Sequence, residues 1–270
     1  MPKVRANGLD IHYEIAGHGP RLLFISGTGS DLRNKPNVFD SPLANAFEIL
    51  AYDQRGLGQS AVPPGPYSMA DYGDDAAALL DALGWDPVPV IGVSFGGMVA
   101  QELVLRHPQY VSTLVLCCTS AGGAGGASYP LHQLAGLPED ERLLRQLEIS
   151  DLRRDAAWRR DHPEQFQRLY DMARAGVRTD RDETGAALQL GARAGHDTWE
   201  RLPQIGVRVL IAGGRYDGIA PVENLEALAA RIPGAELELF EGGHLFMIQD
   251  RTAYPAIIEW LRRGDPPHGH

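Results

Sequence analysis

A serine in a glycine-rich pentapeptide is the first group in this sequence that could act as a nucleophile. The segment Gly92-Val-Ser-Phe-Gly96 has the pattern G-x-S-x-G, with Ser94 at its centre. It follows an apolar run at residues 88–91 that predicts a buried strand, and it precedes a helical pattern that begins near Gly97. In a sharp turn between a strand and a helix, a serine hydroxyl projects above the sheet. The same pattern can occur in an ordinary Gly-Ser turn with no catalytic role. The position between a strand and a helix is what favours a nucleophile.

Five segments of the chain occur in the order of the landmarks of a known family. They are residues 26–33 (SGTGSDLR), 52–60 (YDQRGLGQS), 92–101 (GVSFGGMVAQ), 213–217 (GGRYD) and 242–244 (GGH). With these segments the chain resembles the α/β-hydrolase superfamily over nearly its whole length. The resemblance implies an α/β-hydrolase fold, in which helices flank a mostly parallel central sheet and a helical cap is inserted.

The resemblance also implies the partners of the serine. A serine hydroxyl is a weak nucleophile at neutral pH, so it needs a base, and the base needs an acid that orients it. In this superfamily the chain order is serine, acid, histidine. That order implies Asp217 as the acid and His244 as the base, each in a Gly-rich loop after a late predicted strand. Glu241 and Asp250 lie near His244 in the sequence and remain alternatives for the acid.

Acyl transfer further requires two hydrogen-bond donors for the oxyanion. One is the N–H group of the residue after the nucleophile, which is Phe95 here. The resemblance implies Thr28, in the loop at residues 26–29, as the second. Ser26 stands where many relatives carry a histidine. A turn at the end of a strand with no catalytic role is the alternative interpretation of this loop.

Short runs rich in Val, Ile and Leu predict the strands that would position these loops. The runs cover residues 22–26, 47–52, 88–93, 111–117, 207–212 and 236–240. Helical patterns cover residues 69–83, 95–106, 222–231 and 252–263. Alternation of strands and helices predicts a parallel sheet that is covered on both faces.

The alternation breaks between residues 120 and 203, where amphipathic helical sequence dominates. We therefore expect a hydrolase core formed by residues 1–119 and 204–270, with a helical cap at residues 120–203. One face of this cap is expected to lie over the sheet through its apolar and aromatic side chains: Leu143, Leu147, Trp158, Phe166, Tyr170 and Met172. Its arginines could bind a substrate carboxylate: Arg153, Arg154, Arg174, Arg178 and Arg193.

Composition excludes several classes of function. The 270 residues carry a formal net charge of −10 with no basic stripe, which argues against nucleic acid as a partner. No secretory leader and no run of about 18 apolar residues is present, so we expect a cytoplasmic protein that does not enter a membrane. Cys117 and Cys118 are adjacent and are expected to be free, buried thiols. No residues have metal-ligand spacing, so neither a metal nor a cofactor is expected.

Together these features predict a serine hydrolase that cleaves a small carboxylic ester or lactone through an acyl-enzyme intermediate. The segments around Thr28 and Ser94 partially resemble the 3-oxoadipate enol-lactonase group. A serine nucleophile argues against haloalkane dehalogenases and epoxide hydrolases of this fold, which use an aspartate. The alternatives are a C–C bond hydrolase, a cofactor-free peroxidase or lyase on the same triad, or a ligand receptor with slow turnover.

Overall fold

An eight-stranded sheet runs through the protein, whose computed structural model describes residues 2–85, 87–176, 180 and 182–263. The strands are β1 (Lys3–Ala6), β2 (Leu9–Gly17), β3 (Arg21–Ile25), β4 (Glu48–Tyr52), β5 (Val88–Val93), β6 (Val111–Cys117), β7 (Arg208–Gly214) and β8 (Glu236–Phe240). Their order across the sheet is β1-β2-β4-β3-β5-β6-β7-β8. Strands β3 to β8 pair in parallel, while β2 pairs antiparallel with both β1 and β4. The mostly parallel α/β sheet expected from the sequence is confirmed.

Helices lie on both faces of this sheet and in the long connection between β6 and β7. In chain order they are α1 (Met69–Leu83), α2 (Phe95–Arg106), α3 (Glu139–Ser150), α4 (Ala156–Asp161), α5 (Pro163–Ala175), α6 (Glu183–Ala194), α7 (Val222–Arg231), α8 (Phe246–Gln249) and α9 (Ala253–Arg262). Helix α1 begins with a capping box between Ser68 and Asp71 and ends at Gly84, whose positive φ of 62° is typical of a helix C-cap. No helix in the described ranges is long and apolar enough to cross a membrane.

The strands divide their side chains between two cores because successive residues point to opposite faces of a sheet. Val90 and Leu114 belong to the core that also contains residues of α1, α2 and α7. Their chain neighbours Ile91 and Val115 belong to the second core, which contains residues of α8 and α9. Both faces of the central strands are therefore covered, and the loops at their carboxyl ends are held on a rigid edge.

The sequence interpretation missed the hairpin formed by β1 and β2. Its strands are partly exposed, so they lack the continuous apolar runs that marked the other strands. The signal that could have found it is Asn7-Gly8, where both residues have positive φ, 46° and 73°. An Asn-Gly pair with this backbone is the typical two-residue connection of an antiparallel hairpin.

The connection between β6 and β7 consists of helices, and we refer to residues 120–203 as the helical segment. Of the apolar face expected for it, only Leu143 is buried. Helix α5 contains no buried residue, and its Met172 is 72% exposed. The helix that packs on the core is α6, through Ala186, Gln189, Ala192 and Arg193.

Candidate active site

Ser94 forms the turn between β5 and α2, as its motif predicted. Its backbone has φ 55° and ψ −116°, a conformation that costs roughly 1–3 kcal/mol and persists only where the surroundings fix it. The Ser94 N–H group donates to the carbonyl of Cys117 on the neighbouring strand (2.8 Å), and its carbonyl accepts from the Thr119 hydroxyl (2.8 Å). A β-carbon at Gly96 would overlap the carbonyl oxygen of Ile25, so the glycine is needed for α2 to approach the sheet.

His244 and Asp217 lie beside this serine, on the loops that follow β8 and β7. The Nε2 atom of His244 is 3.0 Å from the Ser94 Oγ atom, and its Nδ1 atom is 2.7 Å from the Asp217 Oδ2 atom. The second carboxylate oxygen of Asp217 accepts from the N–H groups of Ile219 (2.7 Å) and Ala220 (3.0 Å). The three side chains thus form one chain of hydrogen bonds in which a proton on the serine can pass to the imidazole.

The two alternative acids lie in other contacts. Glu241 is 62% exposed in its side chain and faces Arg153 and Arg215. Asp250 accepts hydrogen bonds from the Thr252 hydroxyl and from the N–H groups of Thr252 and Glu241. These three bonds lower the pKa of the Asp250 carboxyl group. Asp217 is therefore the carboxylate that meets the imidazole of His244.

The end of helix α3 also contacts both loops. The carbonyl of Ser150, the last residue of α3, accepts from the His244 N–H group at 2.6 Å. The carbonyl of Ile149 accepts from the N–H group of Gly218, next to Asp217, at 2.9 Å. The helical segment therefore fixes the backbone on which two of the three side chains stand.

The two expected oxyanion donors lie near Ser94. Within the described residues, neither the Phe95 nor the Thr28 N–H group has a hydrogen-bond acceptor, while the N–H groups of Gly29 and Ser30 are both used. Thr28 lines the same cavity as Ser94. Within the described residues, neither N–H group is therefore occupied by another acceptor.

A cavity of about 410 Å³ lies over the serine. Ser94, His244 and Thr28 contribute its reactive part. Most of the remaining wall is aliphatic: Val93, Leu131, Leu143, Leu147, Ala173, Ile219 and Leu245. Leu245 is 50% exposed and marks the rim. An apolar chain attached to a carbonyl group would be removed from water in this space.

Two smaller cavities, of about 310 and 180 Å³, share lining residues with the cavity over Ser94, including Leu143 and Thr28. Arg142 lines both, Gln146 lines all three, and Gln189 lines the smaller. Sequence reasoning missed these three side chains. Arg142 and Gln146 directly precede Leu143 and Leu147 in α3. Because residues four apart lie on the same side of a helix, this spacing could have revealed them.

The arginines singled out from the sequence do not line the cavity over Ser94 where they are described. Arg153 and Arg154 form ion pairs with Asp151. Arg174 is exposed, and Arg178 lies outside the described residues.

Arg193 is the buried member of that set. Its Nη1 atom donates to the carbonyl of Tyr129 at 2.8 Å, and its Nε and Nη2 atoms have no partner among the described residues. Burial lowers the pKa of the guanidinium to about 10. The side chain holds the segment before α3 against α6.

Cys118 is a buried free thiol next to the acid and the base. In the described chain, Cys118, Asp217 and His244 are the group of possible metal ligands whose atoms all lie within 4.8 Å of one another. Burial raises the pKa of the Cys118 thiol well above its usual range, and the Asp217 carboxylate adds to this effect. A protonated thiol is a poor ligand, and the other two groups are already bonded to each other. These residues suit proton transfer better than metal binding.

Comparison with known proteins identifies the family to which this fold belongs. A family profile described as "alpha/beta hydrolase fold" matches residues 20–250. Over 249 residues the chain is 31% identical to a poly(3-hydroxyalkanoate) depolymerase from Ectopseudomonas oleovorans, covering 91% of this chain and 86% of the relative. It is 25% identical over 267 residues to 3-oxoadipate enol-lactonase 2 from Acinetobacter baylyi, covering 94% and 93% of the two chains.

A solved structure shares the same fold. The meta-cleavage product hydrolase of Pseudomonas fluorescens IP01 superposes with a TM-score of 0.79 at 22% identity, over 98% of both chains. The family profile covers far more than half of the sequence, and a relative above 30% identity spans most of it. Its fold and its sequence similarity show that the chain belongs to the α/β-hydrolase family.

Proposed function

We propose that this hydrolase is a serine esterase that cleaves an aliphatic carboxylic ester or lactone. The observation that carries the proposal is the continuous hydrogen-bond chain from Asp217 through His244 to Ser94 at the floor of an aliphatic cavity. In this proposal Ser94 is the nucleophile, His244 the general base and Asp217 the acid that orients it. No cofactor and no metal takes part.

The first half-reaction acylates the serine. His244 takes the proton of the Ser94 hydroxyl as the Oγ atom attacks the carbonyl carbon of the substrate. The carbonyl oxygen becomes an oxyanion, which accepts hydrogen bonds from the N–H groups of Phe95 and Thr28. The protonated imidazole then donates to the leaving alkoxide oxygen, so the C–O bond breaks and an alcohol departs.

The second half-reaction releases the acid. His244 deprotonates a water molecule, whose oxygen attacks the acyl carbon on Ser94. The same two N–H groups hold the second oxyanion, and the proton returns from His244 to Ser94 as the acid leaves. Throughout, the Asp217 carboxylate keeps a proton on Nδ1 and stabilises the imidazolium that forms.

The substrate class follows from the wall of the cavity. Leucine, isoleucine, valine and alanine side chains supply contact area for an alkyl chain, and no aromatic ring is among the described residues of the wall. The similarity to a poly(3-hydroxyalkanoate) depolymerase and to an enol-lactonase supports an ester or lactone carbonyl. We propose that residues 120–203 serve as a cap over this cavity and restrict which chains reach Ser94.

The test is hydrolysis of p-nitrophenyl esters of increasing acyl length and of aliphatic lactones, with the Ser94→Ala variant beside the wild type. We expect Ser94→Ala to lose at least about 10³-fold in kcat while its thermal unfolding is unchanged. Ser112→Ala, the same substitution at an exposed position of β6, is the matched control and should retain full activity.

Identification of the products separates the proposal from its alternatives. From an ester, an acid and an alcohol are expected in equal amounts, and from an aliphatic lactone, a single hydroxy acid is expected. Cleavage of a C–C bond with no ester turnover would overturn the proposed reaction, and so would labelling by a fluorophosphonate probe at a residue other than Ser94. A single slow turnover with retained ligand would instead indicate a receptor.

A further inference from the structure

The loop that carries Thr28 is bonded at its centre to the helical segment. The N–H group of Gly29 donates to the Oε1 atom of Gln189, on α6, at 2.8 Å. Gln189 is fully buried. Because this amide lies 160 positions away in the chain, the contact joins the helical segment to the loop that faces Ser94.

The two ends of this loop are held by the sheet core. The Gln54 side chain donates to the carbonyl of Ser26 (2.8 Å), and the Asp53 carboxylate accepts from the N–H group of Leu32 (2.8 Å). Between these ends, the backbone–backbone bonds among the described residues are a long one from the Ser30 N–H group to the Gly27 carbonyl (3.4 Å) and one from the Asn34 N–H group to the Asp31 carbonyl (2.9 Å). Gln189 therefore supplies, from outside the loop, the hydrogen bond that holds Gly29 at its middle.

The middle of the loop needs such a contact. Gly29 has φ +70° and open space around the position of a β-carbon, so packing does not hold it in place. Thr28 directly precedes it, and an oxyanion donor is effective only when it is fixed near its final position. A misplacement of about 1 Å can cost on the order of 10²-fold in rate.

Helix α6 is itself held firmly, so Gln189 is presented from a fixed support. Gly185 lies against Gly56 so closely that a β-carbon on Gly185 would overlap the Gly56 carbonyl oxygen. One turn later, Leu188 contacts Gly65. These contacts define the distance between α6 and the loop.

We propose that Gln189 is a positioning residue for the oxyanion site, and that α6 must be seated on the core for Thr28 to act as a donor. This inference rests on the proposed function, in which the Thr28 N–H group stabilises the tetrahedral intermediate. Gln189 does not touch the reacting atoms in this proposal. It acts through the Gly29 backbone.

The kinetic test replaces the amide by a side chain of similar length, Gln189→Met. We expect kcat for a short p-nitrophenyl ester to fall about tenfold or more, while KM changes by less than about twofold. Affinity for a trifluoromethyl ketone, which forms a tetrahedral adduct with the serine, should fall by the same factor as kcat/KM. Gln167→Met, in the exposed part of α5, is the control and should match the wild type.

Hydrogen exchange of the peptide that contains residues 27–30 gives a second measurement that does not depend on turnover. We expect faster exchange in Gln189→Met and near-normal exchange in Gln189→Glu, which keeps an acceptor oxygen for Gly29. If Gln189→Met does not fold, Gln189→Leu provides the same comparison.

The outcomes separate this inference from the proposed function. An unchanged trifluoromethyl ketone affinity, or unchanged exchange of the loop in a folded Gln189→Met or Gln189→Leu protein, would overturn the role of Gln189. A wild type that neither hydrolyses esters nor reacts with fluorophosphonate at Ser94 would instead overturn the proposed function, while the exchange experiment still reports on the loop.

Discussion

The central strands bury nearly all of their side chains, whereas the outer helices of the helical segment bury almost none. Ile91 and Val115 are completely inaccessible to solvent. Helix α5 has no buried residue, and α3 has two, Leu143 and Ile149. Within the helical segment α6 is the exception, since five of its residues are buried. The densely packed strands form a rigid sheet edge that can hold reacting groups in place. The outer helices are packed loosely enough to move.

This difference in packing indicates that the sheet edge and the outer helices have different roles in the proposed enzyme. The groups that must stay within a few tenths of an ångström stand at the ends of β5, β7 and β8. The loosely packed helices contribute Leu147 and Ala173 to the cavity wall, where apolar contacts tolerate small shifts. Two of the contacts between these parts lie beside the candidate site: the end of α3 bonds the His244 loop, and α6 bonds the Gly29 loop.

The largest effect is expected at the sheet edge, for Asp217→Asn. An asparagine can still accept from the N–H groups of Ile219 and Ala220, so the loop should keep its shape. It cannot stabilise an imidazolium, and its amide favours the wrong tautomer of His244, so kcat should fall by about 10⁴-fold. Steady-state kinetics with a p-nitrophenyl ester and thermal unfolding on the same sample check this expectation.

The matched controls are Glu241→Gln and Asp250→Asn, at the two carboxylates near His244 in the sequence. Both should retain kcat within about threefold, because neither side chain contacts the imidazole. A loss at either position comparable to that of Asp217→Asn would reassign the acid.

The sheet edge was predictable because each of its features is local in the sequence. Strand, turn and helix around Ser94 follow one another within residues 88–106, and the loops of Asp217 and His244 each directly follow an apolar run. In a parallel sheet such loops must emerge at the same edge. What could not be predicted is the distance between them, which depends on the order β5-β6-β7-β8.

The helical segment was predicted as helical but not in its packing. An amphipathic pattern tells which face of a helix is apolar, and not what covers that face. Trp158 stacks on His162 and Phe166 lies against Tyr170, so aromatic residues expected over the sheet contact neighbours in their own segment. Gln189 gives no local signal, because its role depends on a glycine 160 residues away.

A smaller effect is expected where α6 contacts the core. In Gly185→Ala, the new β-carbon would overlap the Gly56 backbone and push the helix outward. We expect the free energy of unfolding to fall by about 1–3 kcal/mol, together with a lower kcat. Gly191→Ala in the same helix has no atom within 4 Å of the added carbon and should instead stabilise the protein by about 0.5–1 kcal/mol. Urea denaturation of both variants measures the contrast, and equal effects would mean that α6 is no more tightly packed than the outer helices.

The smallest effect on stability is expected for Met172→Ala in α5. Met172 is 72% exposed, so the free energy of unfolding should change by less than about 0.5 kcal/mol. The side chain nevertheless lines the 310 Å³ cavity beside the one over Ser94, where a longer acyl chain would extend in the proposed enzyme. KM should therefore rise for long esters, by roughly a factor of four for each methylene that loses its contact, and stay constant for short ones. Kinetics across an ester series check this, and a loss of stability above about 1 kcal/mol would show that α5 is packed as firmly as α6.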